Sequence, residues 1–221
     1  MSHAAALRDV EEVRDHWWPR PGWRLGRLFY TWHLTFGGAD ELHRLVQEYQ
    51  SALTTAPGLN PVPVEWLHLT MQGVGYGDEV STDDLDRVVT AVRARLRSIP
   101  AFDVTFHRPV VLGEAIALPP APAQPVHDLR DALRQGIADA LGEDSVHAGP
   151  EQARGFRPHV SLAYINASGL AAPYVSALSA VEPAPATVRV AEVALIKLDR
   201  LLAPDWLYRW TTRAVVPISA L

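Results

Sequence analysis

Apolar positions recur along this chain in two rhythms, every three to four residues or every second residue, and the switches between them mark its elements. Ala5 to Trp18 places Leu7, Val10, Val13 and Trp17 at helical spacing among charged residues, which predicts a short amphipathic helix stopped by Pro19 and Pro21. From Arg24 the pattern turns strand-like, with the aromatic and β-branched run Leu28 to Phe36 ended by Gly37 and Gly38. Helical spacing returns over Ala39 to Leu53. A loop through Pro57, Pro61 and Pro63 leads to a second strand, Val64 to Gln72, and a glycine-rich turn (Gly73, Gly75, Gly77) opens a helix near Ser81 or Thr82. Its aspartates fall in the first turn and Arg93, Arg95 and Arg97 towards the end, the order the helix dipole favours.

Strands are predicted next at Phe102 to His107 and Ala115 to Leu118. The proline-dense stretch 119–125 can be neither regular helix nor central strand and suits a connector between halves. A helix over Val126 to Leu141, a loop from Gly142 to Arg157, a strand over Pro158 to Ile165, a short helix over Leu170 to Leu178 and strands at Thr187 to Leu198 and Trp206 to Val216 complete the chain. Helices and strands interleave without the strict alternation of a doubly wound sheet, so the predicted class is α+β with two sheet-based lobes. The expected organisation is a helical extension over residues 1–23 and a single bilobal domain over 24–221.

Composition narrows the function classes. The 221 residues are 48% hydrophobic and 20% charged, as in an ordinary globular chain, and with no cysteine there is no thiol chemistry or Cys-ligated zinc. No signal-like N-terminal segment and no apolar run long enough to span a bilayer is present, so the expected protein is soluble and cytoplasmic, with no membrane partner. The formal net charge of −5 argues against coating long nucleic acids by phosphate neutralisation, while a nucleotide or an RNA end remains compatible.

Two triplets carry candidate chemistry: His68-Leu69-Thr70 and His159-Val160-Ser161. Alternation along a strand puts histidine and hydroxyl on one face and the apolar residue between them on the other. Nine histidines and 21 Ser/Thr among 221 residues yield about one His-x-Ser/Thr match by chance, and three occur, so position must separate them. His68 and His159 both lie on strands that follow a helix and loop. The third match, His33-Leu34-Thr35, lies on a strand that precedes a helix, which leaves His33 as a candidate substrate contact outside the matched pair. Arg157 shares parity with His159 and could reach the same phosphate, as could Arg154 more weakly from the preceding loop. Gln72 shares parity with Thr70 and could line the same groove. Tyr164 falls on the opposite parity from His159 and is expected to be packed.

At these residues the chain resembles the 2H phosphoesterases, in particular the 2′-5′ RNA ligase-like and cyclic phosphodiesterase branch. The resemblance spans about Leu25 to Val216 and rests on Leu28-Phe29-Tyr30, on Leu67 to Met71 with the glycines after it, and on Phe156-Arg157-Pro158-His159-Val160-Ser161-Leu162-Ala163. It implies two pseudo-symmetric lobes of mainly antiparallel sheet with outer helices around a central groove, the two motifs facing each other. It also implies a catalytic pair, His68 and His159, with Thr70 and Ser161 binding phosphate. Many ligase-like members carry Thr in the second motif and a basic residue three positions after its hydroxyl; here Ser161 and Tyr164 stand at those places.

The chemistry suits the residues. Opening a cyclic phosphate or cleaving a phosphodiester needs one group to take a proton from the attacking oxygen and one to protonate the leaving oxygen, and two imidazoles can divide those roles. Neither triplet brings a carboxylate or second histidine at ligand spacing, so the expected enzyme uses no metal and no cofactor. A near-neutral pH optimum for kcat/KM is expected, and no obligate protein partner. The alternative from another class is a non-catalytic nucleotide- or RNA-end-binding module on the same fold.

Overall fold

In the computed structural model, residues 7–147 and 155–219 of the chain are described. The chain runs through β1 (Glu12–Val13), β2 (Phe29–Thr35), α1 (Asp40–Ala52), β3 (Leu59–Pro61), β4 (His68–Tyr76), α2 (Thr82–Leu96), β5 (Phe102–Phe106), β6 (Val110–Val111) and β7 (Ala115–Leu118). It continues through β8 (Pro120–Ala121), α3 (Gln124–Leu141), β9 (Val160–Ile165), β10 (Gly169–Leu170), α4 (Ala172–Ser179), β11 (Ala186–Val190), β12 (Glu192–Leu201) and β13 (Leu207–Pro217). The class is α+β, and every named strand pairing is antiparallel.

Two four-stranded sheets carry the two motifs. One has the order β13-β12-β2-β4, with the first motif on its edge strand; the other has the order β3-β9-β7-β6, with the second motif at the head of β9. The chain halves exchange strands. β3 comes from the first half yet completes the second sheet, while β12 and β13 come from the end of the chain and complete the first. The proline stretch is therefore no clean divider in space, and its Pro120–Ala121 pairs with β5 as a short strand.

Period-2 patterning explains the burial. Trp32, Leu34, Leu69, Met71 and Leu195 lie in the main core, whereas Phe29, Tyr76, Ile196 and Leu198 form a smaller cluster with Trp23, Tyr208 and Trp210 packed against it. The first helices behave as their stripes predict, α1 burying Leu42, Leu45, Val46 and Tyr49. α2 starts with a reciprocal cap in which the Ser81 hydroxyl accepts from the Asp84 N–H and the Asp84 carboxylate accepts from the Ser81 N–H.

Three readings of the sequence are corrected. The opening segment contains no helix among its described residues, 7–23. Its backbone bonds outward instead: Val10 N–H to Val111 O at 3.0 Å, Arg14 N–H to Gly113 O at 2.8 Å and His16 N–H to Ile165 O at 2.8 Å. Val13 and Trp17 are buried as a helical stripe would require, but by a strap that lies across the second sheet and pairs β1 with β10. Gly73 and Gly75 continue β4 and only Gly77 falls in the turn that follows, and Gly73 leaves room for the Phe29 ring, whose Cζ would lie 2.8 Å from an added Cβ. Within the loop expected between α1 and β4 lies the strand β3, three residues flanked by prolines that carry too little pattern to be read.

α2 and α3 meet closely at Gly136, where an added Cβ would lie 2.7 Å from Val92 Cγ2 and 2.9 Å from its Cα. In an open helix Gly→Ala stabilises by about 1 kcal/mol. Gly136→Ala is expected to do the reverse, lowering unfolding free energy by about 1–3 kcal/mol in urea titration because the backbone contact cannot yield.

Candidate active site

The two motif strands repeat one local device. His68 opens β4 directly after a single 3-10 turn, Val64–Trp66, and its Nδ1–H donates to the Trp66 carbonyl at 2.9 Å. His159 stands just ahead of β9, and its Nδ1–H donates to the Arg157 carbonyl at 2.7 Å. In each case the acceptor is the carbonyl two residues back. A carbonyl can only accept, so both rings carry a proton on Nδ1 and keep Nε2 for other work.

The two rings share one electrostatic environment. Burial is the main force holding the His68 pKa down, to about 4 from the usual 6.5, and the nearby His159 lowers it further against the opposing Trp66 carbonyl bond. His159 is also lowered, again chiefly by burial, with Arg157 adding to the effect and its own carbonyl bond opposing it. Both imidazoles are thus neutral in the free protein at pH 7.

Both strands are also bulged at the same motif position. In β4 the register steps from His33↔Thr70 to Trp32↔Gln72, and in β9 from Ala117↔Ser161 to Ile116↔Ala163, so each strand inserts one residue directly after its hydroxyl. Simple alternation therefore fails beyond both motifs. Gln72 turns away from the face of Thr70: it is buried, its amide N–H donating to the carbonyls of Gly73 and His147 while its Oε1 accepts from Arg134. Its reading as a groove residue is corrected on that ground. Tyr164 is packed as expected, but on the same side as Ser161, since the two face Ala115 and Ala117 of β7.

The other sequence candidates lie as follows. Thr70 is exposed beside His68, Ser161 is largely covered, and Arg157 is exposed next to His159. His33 is 1% exposed, and its ring stacks on His68 with centroids 4.6 Å apart and planes 6° from parallel. It thus lies against the His68 imidazole, a position that the strand pattern alone does not display. Arg154 lies outside the described residues. Among the described residues no three His, Asp or Glu side chains are grouped as metal ligands, and no helix is long and apolar enough to cross a membrane.

Several residues near the motifs carried no legible signal. Tyr208 and Trp210 of β13 approach the His68 ring edge-on, at 6.5 and 5.3 Å between centroids, and Trp66 meets Trp210 at 4.9 Å. His16 comes from the N-terminal strap: its ring stacks on Tyr164 at 4.2 Å, and its Nε2 is bonded to the Tyr208 hydroxyl at 3.0 Å. Burial, then Arg20 and Arg200, hold its pKa down to about 2, and both motif histidines act in the same sense. His16 and Tyr208 thus link the first motif to the second across the end of the site.

Comparison with known proteins places this geometry. The chain is 31% identical over 144 residues, 62% of its own length and 67% of the other's, to a protein of Thermus thermophilus described as an RNA 2′,3′-cyclic phosphodiesterase. Its fold is similar to the crystal structure of TT0787, also from Thermus thermophilus, with a TM-score of 0.63, 21% identity, and 88% of this chain and 98% of that one covered. It is also similar to Escherichia coli LigT complexed with 3′-AMP, with a TM-score of 0.62, 18% identity, and coverage of 87% and 98%. Residues 38–201 match the 2′-5′ RNA ligase superfamily, so the chain belongs to that family and is a phosphoesterase of the 2H type.

Proposed function

We propose that this enzyme hydrolyses a 2′,3′-cyclic phosphate, or a 2′-5′ phosphodiester, at the end of a nucleotide or RNA, with His68 and His159 as its general base and acid. The observation that carries the proposal is the matched pair of Nδ1–H bonds to backbone carbonyls, which gives both rings the same tautomer and the same free nitrogen. One Nε2 takes the proton of the attacking water while the other, as imidazolium, returns a proton to the leaving ribose oxygen. Thr70 and Ser161 donate to the non-bridging oxygens as negative charge grows there, and Arg157 adds a cation at the rim.

The depressed pKa values set a requirement on the substrate. Neither ring is charged at pH 7, so the acid forms only as an anionic phosphate enters between them and raises the pKa of one imidazole. His33, stacked on His68 and itself kept neutral by burial, fixes the ring without adding charge. The names of two relatives support the substrate class, one called an RNA 2′,3′-cyclic phosphodiesterase and the other described in complex with 3′-AMP.

Each of His68→Ala and His159→Ala is expected to lower kcat on a 2′,3′-cyclic nucleotide by about 10²–10⁴-fold while 3′-AMP still binds. Undiminished turnover in both variants overturns the two-histidine assignment, and nucleotide binding without any turnover by the wild type favours the binding-module alternative. Exhaustive dialysis against EDTA should leave the rate within about twofold of its starting value, since no step assigned to these side chains calls on a Lewis acid.

Proton linkage gives a second expectation. Because the bound phosphate raises a pKa that burial had lowered, the complex holds more protons than the free protein, and 3′-AMP should bind more tightly as pH falls from about 8 to about 6. The same depressed values put the kcat/KM optimum on the acid side of 6.5 rather than at neutrality. A dissociation constant and a kcat/KM that are both flat across this range would contradict the shared-proton scheme.

A further inference from the structure

Among the described residues Arg200 is a buried cation without an ionic partner. It is 7% exposed, its Nη2 donates to the Trp18 carbonyl at 3.1 Å, its guanidinium lies 5.5 Å from the Trp17 ring centroid, and its Nε has no hydrogen-bond partner. It is the cross-strand neighbour of Tyr208. All these groups cover the charge, and none balances it.

The cations around it leave little negative charge to share. Glu114 is paired with Arg20 at 2.5 Å and with Arg14 at 2.6 Å, and it also accepts from the Trp18 indole. Asp15 accepts from the backbone N–H of Trp17. Arg20 keeps a buried Nε without a hydrogen-bond partner, as does His16 at Nδ1, which lies 3.7 Å from the nearest Glu114 oxygen. Two guanidiniums thus share one carboxylate and a third has none, with three buried N atoms left unbonded. A buried charge and buried donors in this condition are costly unless an anion joins them.

The place of this cluster decides which anion. The Tyr208 ring lies 6.5 Å from that of His68 and its hydroxyl is bonded to His16 Nε2, while Arg200 is its cross-strand neighbour, so the cluster lies one layer beyond His68, behind Tyr208. His16, Arg20 and Tyr208 are half-buried rather than sealed. We propose that Arg200 and Arg20, with His16 and Tyr208, form a second anion subsite that takes a phosphoryl group of the substrate other than the one being cleaved, namely the 5′-phosphate of the terminal nucleotide. The subsite makes the enzyme prefer RNA ends and 5′-phosphorylated nucleotides over bare nucleoside cyclic phosphates. This inference rests on the phosphoesterase reading given above.

Calorimetric titration of the full chain with adenosine 3′,5′-bisphosphate and with 3′-AMP tests it. The wild type should bind the bisphosphate about tenfold more tightly, and Arg200→Gln should bring that ratio to about one while leaving 3′-AMP affinity unchanged. A wild-type ratio near one, or a ratio that survives the substitution, overturns the subsite. Thermal denaturation separates the two readings: if the wild type binds neither nucleotide but inorganic pyrophosphate raises its Tm in an Arg200-dependent way, the anion site stands and the phosphoesterase reading falls. No such rise sinks the site itself. If Arg200→Gln fails to fold, Arg200→Lys keeps the charge but loses the planar fork, and the ratio should then fall only in part.

Discussion

Two hydrogen bonds from imidazole to main chain govern this site. Each motif histidine donates its Nδ1 proton to the carbonyl two residues behind it, at 2.9 Å for His68 and 2.7 Å for His159. The carbonyls are parts of strand entrances, so the tautomer is set by backbone geometry and not by a mobile side chain. Burial then removes the positive charge from both rings in the free protein. Together these effects leave two neutral imidazoles whose Nε2 atoms carry no proton.

The same motif position also bends both strands. An extra residue follows Thr70 in β4 and Ser161 in β9, and it reverses which side chains meet the site beyond each hydroxyl. The His-x-Thr/Ser triplets are legible from sequence because they precede the bulge, where alternation still holds. Gln72 and Tyr164 take faces that alternation does not predict, because register depends on the partner strand, which a single sequence does not display. The pseudo-symmetry of the fold thus extends to a shared irregularity, although the residues after it differ. The first half has Gly73 three positions after its hydroxyl, and the second has Tyr164.

The N-terminal strap shows where local pattern loses to tertiary pairing. Val10, Val13 and Trp17 have helical spacing, yet the backbone there bonds to Val111, Gly113 and Ile165, and β1 joins β10. Such bonds reach partners far along the chain, beyond the range of periodicity. The strap thereby brings His16 against Tyr164 and Tyr208, and Arg20 to Glu114. Long helices such as α1 and α3, and the strands around the motifs, are legible since patterning and burial agree there. The exchange of strands between chain halves is not, and it is this exchange that brings Arg200 and Tyr208 to the sheet of His68.

The central claim concerns protons on particular nitrogens, and long-range ¹H–¹⁵N correlation spectra of histidine-labelled protein read them directly. In the free protein at pH 7 the account requires His68 and His159 both to be neutral with the proton on Nδ1, and addition of 3′-AMP to shift one of them towards imidazolium. An Nε2-protonated tautomer for either ring, or an imidazolium already formed without ligand, would contradict it.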